Sequence, residues 1–340
     1  MGNTKSPEKT PRDGNTTNIE LDKETQIARQ AIFLHHPQGI VKVFDPMYRI
    51  GIDLGGTKIE GVILDERHRE ISRRRIATEQ EKGYEHILNV IKKLYDDLTT
   101  QIKGAEHTLG IGTPGAISRR TGLLKNSNTL CLNEKPLKAD LERRLKRPLN
   151  IENDANCFAL AEALAGAGVG KTLVFGVIMG TGCGGGIVYK GEVIAGPQAI
   201  AGEWGHHSID QNGPRCWCGR RGCAETLISG GGLEKLYESQ FGEKLSLAEV
   251  VSLYRNGQEP AVGFMQSFFK NFGRALGNLI NILDPNVVVL GGGLSNIDEL
   301  YREGVREVAK CVFSDSFETP IVKNKLGDSA GVIGAALIGQ

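Results

Sequence analysis

One pattern occurs twice in this chain, and the repeat limits the possible folds more than any other feature. Ile50-Gly-Ile-Asp-Leu-Gly-Gly-Thr-Lys-Ile59 and Phe175-Gly-Val-Ile-Met-Gly-Thr-Gly-Cys-Gly-Gly-Gly-Ile187 both read as a strand, a glycine-rich turn and a second strand. After the first copy a polar turn leads to a further β-branched run over 70–77, which makes a β-meander. Helical periodicity then covers 86–102, a strand ends in Gly110-Ile-Gly-Thr-Pro-Gly115, a helix covers 137–145, and Asp154 opens another helix. Beyond the second copy we expect helices over 232–238, 245–254 and 261–282 and a strand over 287–290, followed by helices from 296 and from about 330. Strands alternating with helices indicate the α/β class.

A length of 340 residues allows two lobes of ordinary size. With 41 Lys+Arg against 40 Asp+Glu, no global charge excess attracts nucleic acid or a membrane surface, so an anionic ligand must be held locally. The longest apolar runs, 172–179 and 286–290, fall far short of the ~20 residues that span a bilayer. The N-terminus lacks the apolar core of a secretory signal, so a cytoplasmic location is expected. Of seven cysteines, four stand isolated in apolar patterns, which suits a reducing compartment. Residues 1–46 form an extension whose beginning is rich in Lys, Pro, Asn and Thr, and at least the first twenty are expected to be disordered.

Three constellations carry chemistry. The turns Gly55-Gly56-Thr57-Lys58, after Asp53, and Gly180-Thr181-Gly182 offer backbone N–H groups with little side-chain obstruction, as phosphate requires. Asp154 follows an extended stretch; it can be read as a helix cap or as a carboxylate placed to take a hydroxyl proton. His206, Cys216, Cys218 and Cys223 supply four soft donors within eighteen residues, enough for a closed tetrahedral zinc site, with His207 as the competing nitrogen. Gly166-Ala-Gly-Val-Gly170-Lys171-Thr172 looks like a phosphate-binding P-loop, but it has one residue too few and follows a helix instead of a strand. A helix-ending turn is the better reading.

In their order along residues 48–340 these motifs resemble the ROK family of repressors and sugar kinases. The phosphate turns, Glu203-Trp-Gly-His206, the three-cysteine cluster, Cys223-Ala-Glu225-Thr-Leu-Ile-Ser229-Gly and Leu283-Asp-Pro-Asn-Val-Val-Val-Leu-Gly-Gly-Gly-Leu-Ser295 carry the resemblance. Trp204 and Gly-Thr-Gly-Cys183-Gly are most similar to the fructokinase or manno(fructo)kinase branch. The resemblance implies the duplicated actin-like (ribonuclease H-like) ATPase fold, with two lobes around a cleft: 47–153 joined by a terminal helix over 329–340, and 154–328. It implies a homodimer that moves the ATP γ-phosphate to the 6-hydroxyl of a hexose, fructose first and glucose, mannose or N-acetylglucosamine as alternatives. By the same resemblance Asp154 is the base, Asp53 helps to place Mg2+, and Gly55, Gly56, Thr57, Lys58, Gly180, Thr181 and Gly182 hold ATP phosphates. Gly291, Gly292 and Gly293 lie against adenosine, and Asn128, Asn153, Asp154, Glu203, His206 and Glu225 contact the sugar. Zinc then anchors the loop between Glu203 and Glu225 in a structural role, and its loss is expected to loosen the sugar site first and ATP contacts less, since the phosphate turns lie elsewhere in the sequence. A DNA-binding regulator is the alternative from another class, but the extension is too short for two amphipathic helices, so no nucleic-acid partner is expected.

Overall fold

The computed structural model describes residues 48–339, Gly2, and the backbone of two short upstream strands. The chain divides into two compact units, Met1–Asp45 and Pro46–Gln340. In the first, β1 (Phe33–His36) pairs antiparallel with β2 (Gly39–Lys42). The disorder expected for the first twenty residues lies outside the described residues.

In the second unit the repeat becomes two sheets of matching topology. Strands β3 (Tyr48–Leu54), β4 (Lys58–Asp65) and β5 (Glu70–Ala77) form the antiparallel meander of the first sheet. After α1 (Tyr84–Gln101), β6 (His107–Thr113) joins β3 in parallel. A two-residue ladder of β7 (Ala116–Ile117) with β8 (Leu124–Lys125) and helix α2 (Leu137–Leu145) lead to β9 (Asn150–Asn153), parallel to β6. The order is therefore β5-β4-β3-β6-β9.

Helix α3 (Asp154–Ala165) leads to the second copy, in which β10 (Leu173–Met179), β11 (Cys183–Tyr189) and β12 (Glu192–Val193) repeat the meander. Helices α4 (Ala224–Ile228), α5 (Gly230–Phe241), α6 (Leu247–Arg255) and α7 (Ala261–Leu283) precede β13 (Val287–Gly291). After α8 (Glu303–Ala309) comes β14 (Ile321–Lys323), and α9 (Ala330–Ile338) closes the chain. The order β12-β11-β10-β13-β14 mirrors the first sheet, with β13 parallel to β10 and β14 to β13.

Layering follows from where the apolar faces point. Ile50, Ile52 and Ile59 pack outward on Leu88, Ile91 and Leu94 of α1, and Phe175 and Leu290 pack outward on the cluster of Phe264, Phe268 and Phe272 in α7. Between the sheets, Val62, Phe158, Val174, Val289 and Val332 share one core built around α3 and α9. The two helices cross so closely that a Cβ added at Gly334 of α9 would collide with the Cys157 carbonyl of α3. One at Gly110 of β6 would collide with the Ala335 carbonyl.

The helix expected from 296 begins only at Glu303. Short 3-10 turns at Gly293–Asn296 and Asp298–Tyr301 come before it, with Ile297 extended between them. Leu294, Ile297 and Leu300 recur every three residues and are all buried, a spacing that a 3-10 path satisfies because residues three apart eclipse. The P-loop lookalike proves to be the end of α3. Its anion is internal: the buried Glu162 carboxylate accepts the Ala167 N–H at 2.7 Å and also the N–H groups of Lys325 and Leu326.

Candidate active site

Asp53 is the penultimate residue of β3, in register with Glu60 on β4 and Gly112 on β6. Its two oxygens lie 3.3 Å and 2.9 Å from where Cβ atoms on Gly112 and Gly331 would stand, so the carboxylate is wedged between β6 and the first turn of α9. Burial, assisted by the charges of Asp154 and Glu60 and opposed by Lys58, pushes its pKa up to about 7. Glu60 is itself neutralised by Arg73 at 2.9 Å and Arg75 at 2.7 Å.

Asp154 is the first residue of α3, where β9 ends. Its Oδ1 accepts the Ala155 N–H at 2.7 Å, but the same N–H is within 2.9 Å of the side-chain oxygen of Asn153, which is the N-cap, so the cap role read for Asp154 belongs to its neighbour and Asp154 is the first helical residue. Burial pushes its pKa up to about 6; the Ala155 N–H opposes the shift and Glu203 adds to it. One face of Asp154 is exposed. Protein crowds its other sides, and that crowding governs the proton affinity of a carboxyl whose open face a ligand would cover. Asp154 thus adds its charge to that felt by Asp53 and itself feels that of Glu203.

The sequence placed Asn153 among the sugar contacts, but its amide is largely engaged in the fold. Its oxygen caps α3 and its Nδ2 donates to the Gly115 carbonyl at 3.1 Å. Asn128 is exposed on the neighbouring loop, which reciprocal hydrogen bonds between Ser127 and Asn133 hold in shape.

The first glycine turn closes through Gly55 N–H to Lys58 O, and Thr78 clamps it by donating to the Gly55 and Thr57 carbonyls. Thr57 and Lys58 stand exposed. The second turn is held by residues that sequence reading gave no role. Gly230 and Gly231, at the start of α5, donate to the carbonyls of Gly180 and Thr181 at 2.7 and 3.2 Å. Side chains there would crowd the turn, since a Cβ on Gly230 would stand 2.9 Å from the Gly180 oxygen. The signal in the sequence was Ser229 followed by three glycines, and Ser229 is the N-cap of α5. Gly292, with φ 76°, lies against the Met179 backbone, so Gly291–Gly293 converges on the same turn.

The His206, Cys216, Cys218 and Cys223 donor atoms all lie within 4.8 Å of one another. The Cys216 sulfur is 3.6 Å from His206 Nδ1, and the Cys218 and Cys223 sulfurs are 3.6 Å apart. Donors of a tetrahedral zinc site with ~2.3 Å Zn–S bonds would be about 3.7 Å apart, so the set fits that ion. His206 is the fourth donor because its ring nitrogen lies among the three sulfurs, while His207 turns its Nδ1 to the Trp204 carbonyl. The second phosphate turn, elsewhere in the sequence, meets this loop in space. Glu225, two residues after Cys223, accepts the Cys183 N–H at 3.1 Å with one oxygen and the Trp217 indole N–H at 2.8 Å with the other. A groove of about 1270 Å³, lined by Thr181, Trp217, Glu225, Ser229 and Gly231, opens on this side; Asp154 lies outside its lining.

The ROK family model matches residues 49–340. The chain belongs to the ROK family. This ROK protein is 39% identical over 301 residues to an N-acetyl-D-glucosamine kinase of Photobacterium profundum, covering 85% of this chain and 98% of the relative. It is also 39% identical over 298 residues to the enzyme of that name in Vibrio cholerae, with 85% and 98% coverage. Among solved structures, a ROK hexokinase of Thermus thermophilus superposes with a TM-score of 0.79 at 31% identity, covering 86% of this chain and 98% of that one. A ROK glucokinase of Streptomyces griseus in complex with glucose and AMPPNP gives 0.70 at 27% identity, with 86% and 99% coverage. The two matching sheets are the actin-like ATPase fold of this family. The features that pointed to fructose are core residues of this ROK protein. Trp204 is buried edge-on to Phe175 and donates to the Gly184 carbonyl, and the Cys183 side chain is buried in the same cluster.

Proposed function

We propose that this ROK protein is an ATP-dependent hexose kinase acting on N-acetylglucosamine at its 6-hydroxyl. The observation that carries the reaction class is Asp154, fixed at a strand-to-helix junction, with its pKa pushed up to about 6 by burial and by the charge of Glu203. The substrate reading rests on the relatives named N-acetyl-D-glucosamine kinase. Fructose has no comparable support, and the Trp204 and Cys183 side chains are buried in the core.

In the reaction the sugar O6 attacks the γ-phosphorus, the bond to the β-γ bridging oxygen breaks, and Asp154 takes the hydroxyl proton. The task of the chain is alignment and charge management. The backbone turns at Gly55–Lys58 and Gly180–Gly182 receive phosphate oxygens, and Lys58 adds a positive charge. Asp53, ionised, would hold Mg2+, which neutralises phosphate charge when bound. Glu203 and Glu225 offer acceptors to sugar hydroxyls, and the second nitrogen of His206, which carries the ring proton when Nδ1 holds zinc, offers a donor. His206, Cys216, Cys218 and Cys223 would hold zinc, which supplies a cross-link in the loop and no chemistry on the substrate.

A coupled ADP-release assay with a panel of hexoses tests the reading. N-acetylglucosamine is expected to exceed fructose at least about tenfold in kcat/KM, a ratio one lost or gained polar contact supplies. Equal or better turnover of fructose would reverse the substrate assignment, and turnover of no hexose would remove the function.

A further inference from the structure

We propose that Trp217 is a positioning residue whose indole N–H holds the Glu225 carboxylate between the sugar site and the second phosphate turn, an inference that rests on the kinase reading above. The protein has two tryptophans, and they differ in kind. Trp204 packs in the core, whereas Trp217, between the loop cysteines Cys216 and Cys218, is 70% exposed. An indole left in water gains little from burial, so packing does not account for it. It is nevertheless fixed at two points. Its N–H donates to Glu225 Oε1 at 2.8 Å, and its ring meets the His206 ring at 4.9 Å in an edge-on arrangement of 87°.

Glu225 is the hub of the contact. Its Oε2 accepts the Cys183 N–H at 3.1 Å, and it stands 2.9 Å from where a Cβ on Gly182 would be, so a side chain there would push the carboxylate aside. Each carboxylate oxygen can accept two hydrogen bonds, so both retain one lone pair for a substrate hydroxyl. Without the indole N–H, Oε1 loses its anchor and the carboxylate can rotate about the bond to Cγ. Sugar contacts then loosen first, and the Cys183 end of the turn loosens with them. The indole thus carries the rigidity of the metal-binding loop to both substrates, which no spacing in the sequence reveals.

The test uses the full-length zinc-loaded protein with Trp217→Phe and Trp217→Ala. Phenylalanine keeps the ring against His206 and lacks only the donor. Both variants are expected to retain one zinc per chain and to raise sugar KM about tenfold, the effect of losing one hydrogen bond to a charged group. The ATP KM is expected to rise less, about threefold, since the Cys183 bond itself remains. Sugar and ATP KM values within twofold of wild type for Trp217→Phe would overturn the proposal and leave the ring as the part that matters. A second readout needs no turnover. Glu225→Ala should shift the acrylamide-accessible fluorescence of Trp217, and an unchanged emission and quenching profile would overturn the contact itself. Should the wild type phosphorylate no hexose, the kinase reading fails by that result alone, and the fluorescence measurement still decides whether Trp217 holds Glu225.

Discussion

At the residue scale, two aspartates with different partners divide the labour of the site. Asp154 has a pKa of about 6 and must be ionised to accept a proton, so kcat/KM for the sugar should fall as pH drops through the 6 to 7 range. Asp53 titrates beside it, so the acid limb belongs to the pair and should be steeper than one proton gives. Asp154→Asn keeps the shape and loses the base, and kcat is expected to drop by about 10²–10⁴ while sugar binding measured by calorimetry persists. A variant turning over at the wild-type rate would show that another group takes the proton. Asp53 makes a separate prediction about stability. Its folded pKa lies above the unfolded 3.8, so its contribution is fully present at pH below the unfolded value and is lost as pH rises through about 7. Asp53→Asn removes that loss. In the ligand-free protein its thermal midpoint should exceed that of wild type by a margin that widens from pH 5 to pH 8, although activity is lost. A constant margin across that range would show that Asp53 is not held neutral by its surroundings.

At the element scale, the helices between the sheets depend on backbone contact. The Cβ of Gly334→Ala would have to displace the Cys157 carbonyl, three positions from Asp154 on α3. Overpacking of this kind costs about 3 kcal/mol or more when backbone has to move, and thermal or urea denaturation would register it. Gly327→Ala offers a contrast, since nothing lies within 4 Å of its added Cβ and its left-handed backbone alone resists the change. Comparable losses for the two variants would mean that the crossing of α3 and α9 tolerates separation. How much of the fold was legible follows the same division between local and distant causes. The repeated meander, the capped start of α3 and the long α7 were readable because period-two runs, cap residues and apolar spacing are written within a dozen residues. Strand β14, the β7–β8 ladder and the 3-10 path at 293–301 were not. Each is short, and each is stabilised by partners far along the chain, as when Ile321 pairs with Val288. The site divides likewise: the glycine turns and the cysteine cluster are local motifs, whereas Gly230 holding Gly180, Trp217 holding Glu225, and Asn153 serving as a brace exist only once the chain is folded.

At the scale of the whole molecule, the metal loop connects surfaces that the sequence keeps apart. Its donor set joins Glu203 and His206 on one side to Cys223 and Glu225 on the other, and Glu225 reaches the turn that begins β11. One zinc per chain is therefore expected by elemental analysis of protein purified without added metal. Because donors brought together by folding bind an ion that the unfolded chain holds less well, chelation should lower the thermal midpoint. The kinetic consequence distinguishes a local staple from a coupled one. If the loop served the sugar alone, chelation or Cys216→Ser would raise sugar KM and leave ATP KM unchanged. The Glu225 to Cys183 bond instead predicts that both rise, sugar more than ATP, with the first meander and its Gly55–Lys58 turn unaffected because Thr78 secures that turn independently. Hydrogen exchange can follow this directly. On metal removal the amides of Cys183 and of Gly230 and Gly231 should lose protection while those of Gly55 and Thr78 keep it. Uniform loss of protection across both sheets would mean that the metal holds up the entire unit, and no loss at Cys183 would confine the metal to its own loop.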